Sequence, residues 1–292
     1  MGDTLTLKAP AKINLGLDVL GRRDNGYHDV RMVMQSIGLY DNVTLEKVKE
    51  PGIWLKTNLY YLPVNEKNIA YKAAKLLMDE FSIAEGVKIT LEKHIPVAAG
   101  MAGGSTNAAA VLEGMNQLFA LGLSQKELME RGVKLGADVP YCIMKGTALA
   151  EGIGEILSPL SGLPECHILI AKPGISVSTK AVYEELDSKE IPDHPDIDGI
   201  LMGLQEGNLK KIVDSMGNVL ERVTIQKYPV IDKIKQAMKD AGAMNAMMSG
   251  SGPTVFGIFE DRKMAESARR KIQKMNIAKD ICLTNVHNTR RS

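Results

Sequence analysis

An α+β fold built of two α/β domains is what this sequence predicts, and three observations point to it. Apolar and polar residues alternate near residues 5–20 and 27–47, apolar residues return at helical spacing in later segments, and Gly and Pro crowd at residues 152–164 before the pattern restarts. The 292 residues are ample for a buried core and suit two domains, expected as residues 1–155 and 156–292. No internal repeat or low-complexity segment interrupts the pattern.

The first two strands are expected to be joined through Asp24-Asn25-Gly26, because Asn and Gly both tolerate the positive φ of a tight hairpin turn. Within the first strand, alternation puts Lys12, Asn14 and Asp18 on one face and Ile13, Leu15, Leu17 and Val19 on the other. Ile69, Ala73, Leu76, Leu77 and Phe81 then recur as one helical face, and Val87, Ile89 and Leu91 alternate as a strand. That strand feeds the run Ile95-Pro96-Val97-Ala98-Ala99-Gly100-Met101-Ala102-Gly103-Gly104-Ser105-Thr106-Asn107, behind which a helix is expected over residues 105–118. Small residues keep side chains out of the way, so backbone N–H groups there can converge on an anion at the positive end of the helix. The loop lacks the G-x-x-x-x-G-K-[ST] pattern, so a kinase built on it takes its lysine from elsewhere.

Ser124 and Glu127 make a capping box for a further helix. Gly136-Ala137-Asp138-Val139-Pro140 places an acid in a turn between a helical pattern and a strand. Beyond the Gly and Pro cluster come a strand at 166–171, helices within 179–217, a helix at 229–241, strands at 244–248 and 254–259, a helix at 261–275 and a strand at 280–287. Met248-Ser249-Gly250-Ser251-Gly252-Pro253 forms a second small-residue loop between two of those strands.

Composition narrows the function classes. Hydrophobic residues make up 45%, charged residues 24% and the net charge is +1, so no global basic field argues for nucleic acid and an anionic ligand must be held by local groups. The three cysteines are far apart without a CxxC, and the five histidines form no HExxH, which suggests neither a disulfide framework nor a zinc site. No apolar run approaches the roughly 18 residues of a membrane span. The Met1-Gly2 start matches a myristoylation pattern, yet Leu5 and Leu7 alternate into the first strand. Asn42-Val43-Thr44 matches a sequon, and no secretory leader precedes it. Arg290-Arg291 reads as a solvated tail. A cytoplasmic protein without a membrane or obligate protein partner is expected.

PAKINLGL at residues 10–17, PVAAGMAGGST at 96–106 and SGSGP at 249–253 resemble, in this order, the three motifs of the GHMP kinase superfamily, and the resemblance spans nearly the whole chain. It implies a ribosomal-protein-S5-like N-terminal domain, a ferredoxin-like C-terminal domain, and ATP with Mg²⁺ as donor and cofactor. Within the superfamily, Gly26-Tyr27-His28, Gly136-Ala137-Asp138-Val139-Pro140, residues 146–152 and residues 172–179 look like the branch whose acceptor is a cytidine-diphosphate-linked methylerythritol. That likeness implies phosphorylation of its 2-hydroxyl in non-mevalonate isoprenoid-precursor synthesis. The alternatives are another small-alcohol kinase of the superfamily, for homoserine, mevalonate or a sugar, and a non-catalytic nucleotide-binding regulator on the same fold.

Phosphoryl transfer to an alcohol needs positioning and charge neutralisation more than covalent help. From the residues alone, Asp138 also suits a turn before Pro140, and Lys12 suits the wet face of a strand. The resemblance assigns them to the catalytic pair, Asp138 accepting the hydroxyl proton and Lys12 beside it meeting the γ-phosphate. Asn14, on the Lys12 face, orients the acceptor. On the same resemblance, the loop residues Pro96, Val97, Ala98, Ala99, Gly100, Met101, Ala102, Gly103, Gly104, Ser105 and Thr106 are expected to carry the ATP phosphates, Asn68 and Lys93 to contact the adenosine portion, and Ser105 or Thr106 to reach Mg²⁺. A cytosine ring can be gripped between aromatic faces, and Tyr27 with Tyr183 form the candidate pair. His28 reads the polar edge of the base and Thr179 helps to hold the substrate.

Overall fold

The computed structural model describes residues 3–189, 191 and 193–288; the Met1-Gly2 start and the Arg290-Arg291 tail lie outside the described residues. The two long strands expected at the amino end are β1 (Thr4–Arg22) and β2 (His28–Val48). Between them Gly26 sits at φ +84°, Asn25 Oδ1 accepts from Tyr27 N at 3.1 Å, and Arg23 N donates to Tyr27 O at 2.7 Å, which closes the expected turn.

The chain continues through β3 (Ile53–Thr57), α1 (Ile69–Glu80), β4 (Gly86–Glu92), α2 (Gly103–Leu118), α3 (Gln125–Val133) and α4 (Val139–Met144). Next come β5 (Thr147–Glu151), β6 (Ile156–Pro159), β7 (His167–Lys172), α5 (Thr179–Leu186), α6 (Ile197–Glu206) and α7 (Leu209–Ser215). The last elements are β8 (Gly217–Asn218), α8 (Glu221–Lys227), α9 (Val230–Lys239), β9 (Asn245–Met248), β10 (Val255–Phe259), α10 (Arg262–Met275) and β11 (Asp280–Asn285).

These elements condense into two compact units that draw on the chain in alternation. The first takes Met1–Ala11, Tyr40–Val97 and Ala102–Met144, and the second takes Lys12–Leu39, Ala98–Met101 and Lys145–Ser292. In the first unit, the far half of β2 pairs antiparallel with β4 from Asn42 against Glu92 to Val48 against Gly86, and β3 pairs parallel with β4. Leu45, Ile89 and Leu91 are buried in these strands, and Ala108, Val111, Leu112 and Met115 are buried in α2. Gly114 permits the close approach of α2, because a Cβ there would lie 2.4 Å from Leu45 Cδ1. The capping box stands as expected, with Ser124 and Glu127 bonded reciprocally at the start of α3.

The second unit is organised on a four-stranded antiparallel sheet in the order β11-β7-β10-β9. Every residue of β10 is buried, and α9 and α10 pack on this sheet through Ile231, Ile234, Ala265, Ala268 and Ile272. The same unit holds β5 paired with the near half of β2 and with β6, and β8 paired parallel with β1 at Gly16 and Leu17.

Four segments differ from expectation. The strand expected directly after Asp138 is the short helix α4, followed by β5; Val139, Pro140, Tyr141, Cys142 and Ile143 are all buried, so no polar face marks a helical period. Gly152 and Gly154, at φ +70° and +106°, serve the β5–β6 hairpin, which runs across residue 155. β3 and α8 carry too little alternation to announce themselves: in β3 only Leu55 is buried, and α8 buries only Val223 and Thr224.

Candidate active site

The small-residue loop folds as a series of left-handed turns. Ala98, Gly100 and Ala102 have φ of +50°, +70° and +55°, so two alanines hold a conformation that normally selects glycine, at roughly 1–2 kcal/mol each. Left-handed residues set among right-handed ones make successive amides converge on an anion. α2 starts at Gly103, two residues earlier than the sequence suggested, with Ala102 as its N-cap and no side chain capping the first turn. Those first amides are thereby left for a ligand rather than for a cap.

The loop is braced within the second unit by the other small-residue segment. Ser249 Oγ donates to Gly100 O at 2.9 Å, and a Cβ on Gly100 would lie 2.2 Å from the Ser249 carbonyl oxygen. Asn218 Nδ2 in turn donates to Met248 O at 2.9 Å and Gly250 O at 2.8 Å, which fixes the bracing strand end. Lys12 N donates to Met101 O at 3.2 Å, tying the loop to β1. The SGSGP segment therefore braces the small-residue loop through the Ser249 hydroxyl and backbone. Asn218, on the two-residue β8, carries no sequence signal that would have singled it out.

Within the first unit, the flanks of the loop converge on one buried carboxylate. Asp41 is fully buried and accepts from His94 N at 2.7 Å, Ile95 N at 2.8 Å, Asn107 Nδ2 at 2.9 Å and the Lys93 ammonium. Lys93 also donates to Asn107 Oδ1 at 2.7 Å and Gly103 O at 3.2 Å. All three ammonium protons are thus committed inside the protein, and burial pushes the Lys93 pKa down against the pull of Asp41. The side chain expected to contact adenosine ties Asp41 of β2 to Gly103 and Asn107 of α2. Asn68 caps α1, its Oδ1 accepting from Ala70 N at 3.0 Å and its Nδ2 donating to Pro63 O at 2.8 Å, which leaves one acceptor and one donor position.

The β1 face behaves as the alternation required. Lys12 and Asn14 are buried and joined by a 2.7 Å bond from Nζ to Oδ1, while Asn14 Nδ2 points to Met32 Sδ at 3.5 Å. Further along the face, Asp18 is buried under His194 at 2.8 Å. Asp138 stands half-buried directly before α4, its carbonyl accepting from Cys142 N at 3.0 Å. Pro140 fits at the second helical position because its missing N–H has no partner to lose there.

Among the acceptor-side candidates the ring contact is between Tyr183 and His28, with ring centroids 4.8 Å apart and planes tilted by 41°. Tyr27 stands 57% exposed beside the hairpin turn. Thr179 Oγ1 shares a 2.8 Å bond with Ser251 Oγ. Lys172 is buried and turned onto its own loop, donating to Pro173 O at 3.3 Å and Ile175 O at 3.1 Å. A residue not foreseen is Asp187, whose Oδ1 lies 2.6 Å from His28 Nε2. Its spacing of four from Tyr183, and of eight from Thr179, was the available signal, since such residues stack along one helical face.

A glycine- and alanine-built anion loop leading into an uncapped helix, with a lysine and amide buried on the neighbouring strand, defines a kinase of the GHMP type. The description GHMP kinases N terminal domain matches residues 68–146, and GHMP kinases C terminal matches residues 200–278. A 4-diphosphocytidyl-2-C-methyl-D-erythritol kinase of Lachnospira eligens is 55% identical over 282 residues, covering 97% of this chain and 98% of the relative. One of Lachnoclostridium phytofermentans is 56% identical, covering 91% of each. The crystal structure of a 4-(cytidine 5'-diphospho)-2C-methyl-D-erythritol kinase superposes with a TM-score of 0.83 at 30% identity, covering 98% of this chain and all of that one. The chain belongs to the 4-diphosphocytidyl-2-C-methyl-D-erythritol kinase family, and is an ATP-dependent kinase.

Proposed function

We propose that this kinase transfers the γ-phosphoryl group of ATP to the 2-hydroxyl of 4-diphosphocytidyl-2-C-methyl-D-erythritol, a step of isoprenoid-precursor synthesis by the non-mevalonate route. The observation that carries the acceptor is the corner formed by Tyr183 and His28, an aromatic face joined to a polar ring at 4.8 Å. A kinase for homoserine, mevalonate or a bare sugar has no base to place there.

In this reading the first 155 residues supply the phosphate loop and the catalytic pair, and residues 156–292 add Thr179 and Tyr183 to the acceptor side. Asp138 accepts the hydroxyl proton as the oxygen attacks, and Lys12 neutralises charge on the transferred group. The 2.7 Å bond to Asn14 aims the Lys12 ammonium and leaves Asn14 to orient the acceptor. Residues 96–106 hold the phosphates through backbone amides, Asn68 offers its remaining polar positions to the nucleoside, and Tyr27 supplies a second face for the base. Ser105, half-exposed in the first turn of α2, offers the hard oxygen that suits Mg²⁺, a cation that keeps phosphate and water oxygens as most of its ligands. Bound there, Mg²⁺ would neutralise phosphate charge. Thr106 is the poorer ligand, since its hydroxyl is sealed in the interior without a partner. No helix of the described residues is long and apolar enough to cross a membrane, and we assign the enzyme to the cytoplasm with small molecules as its partners.

The test is a steady-state assay with ATP over a panel of alcohols, each with and without a cytidine diphosphate handle. Turnover is expected for the cytidine-diphosphate-linked methylerythritol alone. Preference for a bare alcohol would overturn the assignment. Asp138→Asn keeps the size of the side chain and removes the proton acceptor, so turnover should fall about 10²- to 10⁴-fold at unchanged ATP affinity.

A further inference from the structure

His28 is held by one helix at two points. Tyr183 and Asp187 are four residues apart, so the body of α5 and its C-cap present them on the same side, the first to the face of the imidazole at 4.8 Å and the second to its Nε2 at 2.6 Å. The His28 side chain is only 9% exposed.

A carboxylate only accepts hydrogen bonds, so the imidazole nitrogen facing Asp187 carries the hydrogen, and in the neutral ring Nδ1 is left as a lone-pair acceptor. An acceptor is complementary to the exocyclic amine of cytosine and repelled by the keto oxygen that uracil carries at the same position. We propose that Asp187 is a positioning residue that fixes the tautomer of His28, and that this sets the preference of the acceptor site for an amino-pyrimidine over a keto-pyrimidine. The inference rests on the acceptor reading above and adds to it the group that enforces base choice. Asp187 does this without touching the base.

Asp187→Asn is the decisive change, because an amide can donate to Nε2 and so permits the other tautomer, with Nδ1 as donor. The wild type and variant are assayed near pH 8 with the cytidine-diphosphate-linked alcohol and its uridine analogue, and the histidine ring nitrogens are followed by ¹⁵N NMR. In the wild type Nε2 of His28 should be protonated and Nδ1 bare. The variant should lose about 10-fold or more of its kcat/KM preference for cytidine, through KM rather than kcat and at unchanged KM for ATP. Arg22→Ala removes the other ion-pair partner of Asp187, 3.4 Å away, and should leave the preference intact. A wild-type His28 protonated on Nδ1, an unchanged preference in Asp187→Asn, or an equal loss in Arg22→Ala would each overturn the proposal. Should the wild type fail to use the cytidine-linked alcohol at all, the acceptor reading itself falls, which is a different result from an unaltered preference.

Discussion

Tyr183 is the residue at which sequence and structure meet most usefully. Its ring already packs against His28, so a bound base stacks on a side chain that packing has oriented. Tyr183→Ala should therefore cost about 1–3 kcal/mol of acceptor binding, roughly 5- to 150-fold in KM, with kcat largely spared, whereas Tyr183→Phe should cost little. Unchanged acceptor KM in the Ala variant would remove Tyr183 from the site. Lys12 and Asn14 were legible because strand alternation alone puts them on one face, and their 2.7 Å bond follows from that spacing. Asn218 was not, because it acts through bonds to groups 30 and 32 residues away, and Asp187 offered only its helical spacing from Tyr183, with its partner His28 159 residues away. Lys93 is a different case. A lysine just before an anion loop suggests a nucleotide contact, but its burial and three internal acceptors turn it inward.

At the scale of elements, the small-residue loop is a backbone object held at both flanks. Lys93→Met should leave Asp41 buried with its charge uncompensated, costing about 3–5 kcal/mol of unfolding free energy in urea titration. A loss below 1 kcal/mol would mean that the pair is not a tie. The glycines of the loop separate into two kinds. At Gly103 a Cβ would press on Ile95 Cγ2 at 3.1 Å and approach Lys93 Nζ at 3.4 Å, so a bulky residue there disturbs packing before it meets any phosphate. Gly104 is exposed and its Cβ would meet only Ile69 Cγ2, at an ordinary 3.6 Å. Gly100→Ala should raise the KM for ATP and lower the melting temperature, because its added carbon lies 2.2 Å from a backbone oxygen and its φ is +70°. Gly104→Ala should keep the wild-type melting temperature; equal melting losses in the two variants would contradict this division. Elements with one clean face, such as α9 and α10, were readable within a residue or two. The all-buried α4 was not, since a segment apolar on every side shows no period.

The whole molecule interleaves its two units along the chain, and that bears on how it unfolds. β1 and β2 each contribute residues to both units, β1 crossing at Ala11 to Lys12 and β2 at Leu39 to Tyr40. Neither unit can lose its share of these strands without loosening a strand of the other, so a single cooperative transition is expected even at 292 residues, a length at which separate domains often melt separately. The buried cysteines provide reporters, Cys142 in the first unit and Cys166 in the second, neither of them in a disulfide. Burial pushes the Cys166 thiol up to about 12, so in the folded protein at pH 7.5 it is almost wholly protonated and inert to alkylation. On unfolding it returns to an ordinary thiol value near 8.5 and reacts. In a urea series with brief iodoacetamide pulses, followed by peptide mass spectrometry, Cys142 and Cys166 should become reactive at one common urea midpoint. Two separated midpoints would show that the units melt independently in spite of the strands they share.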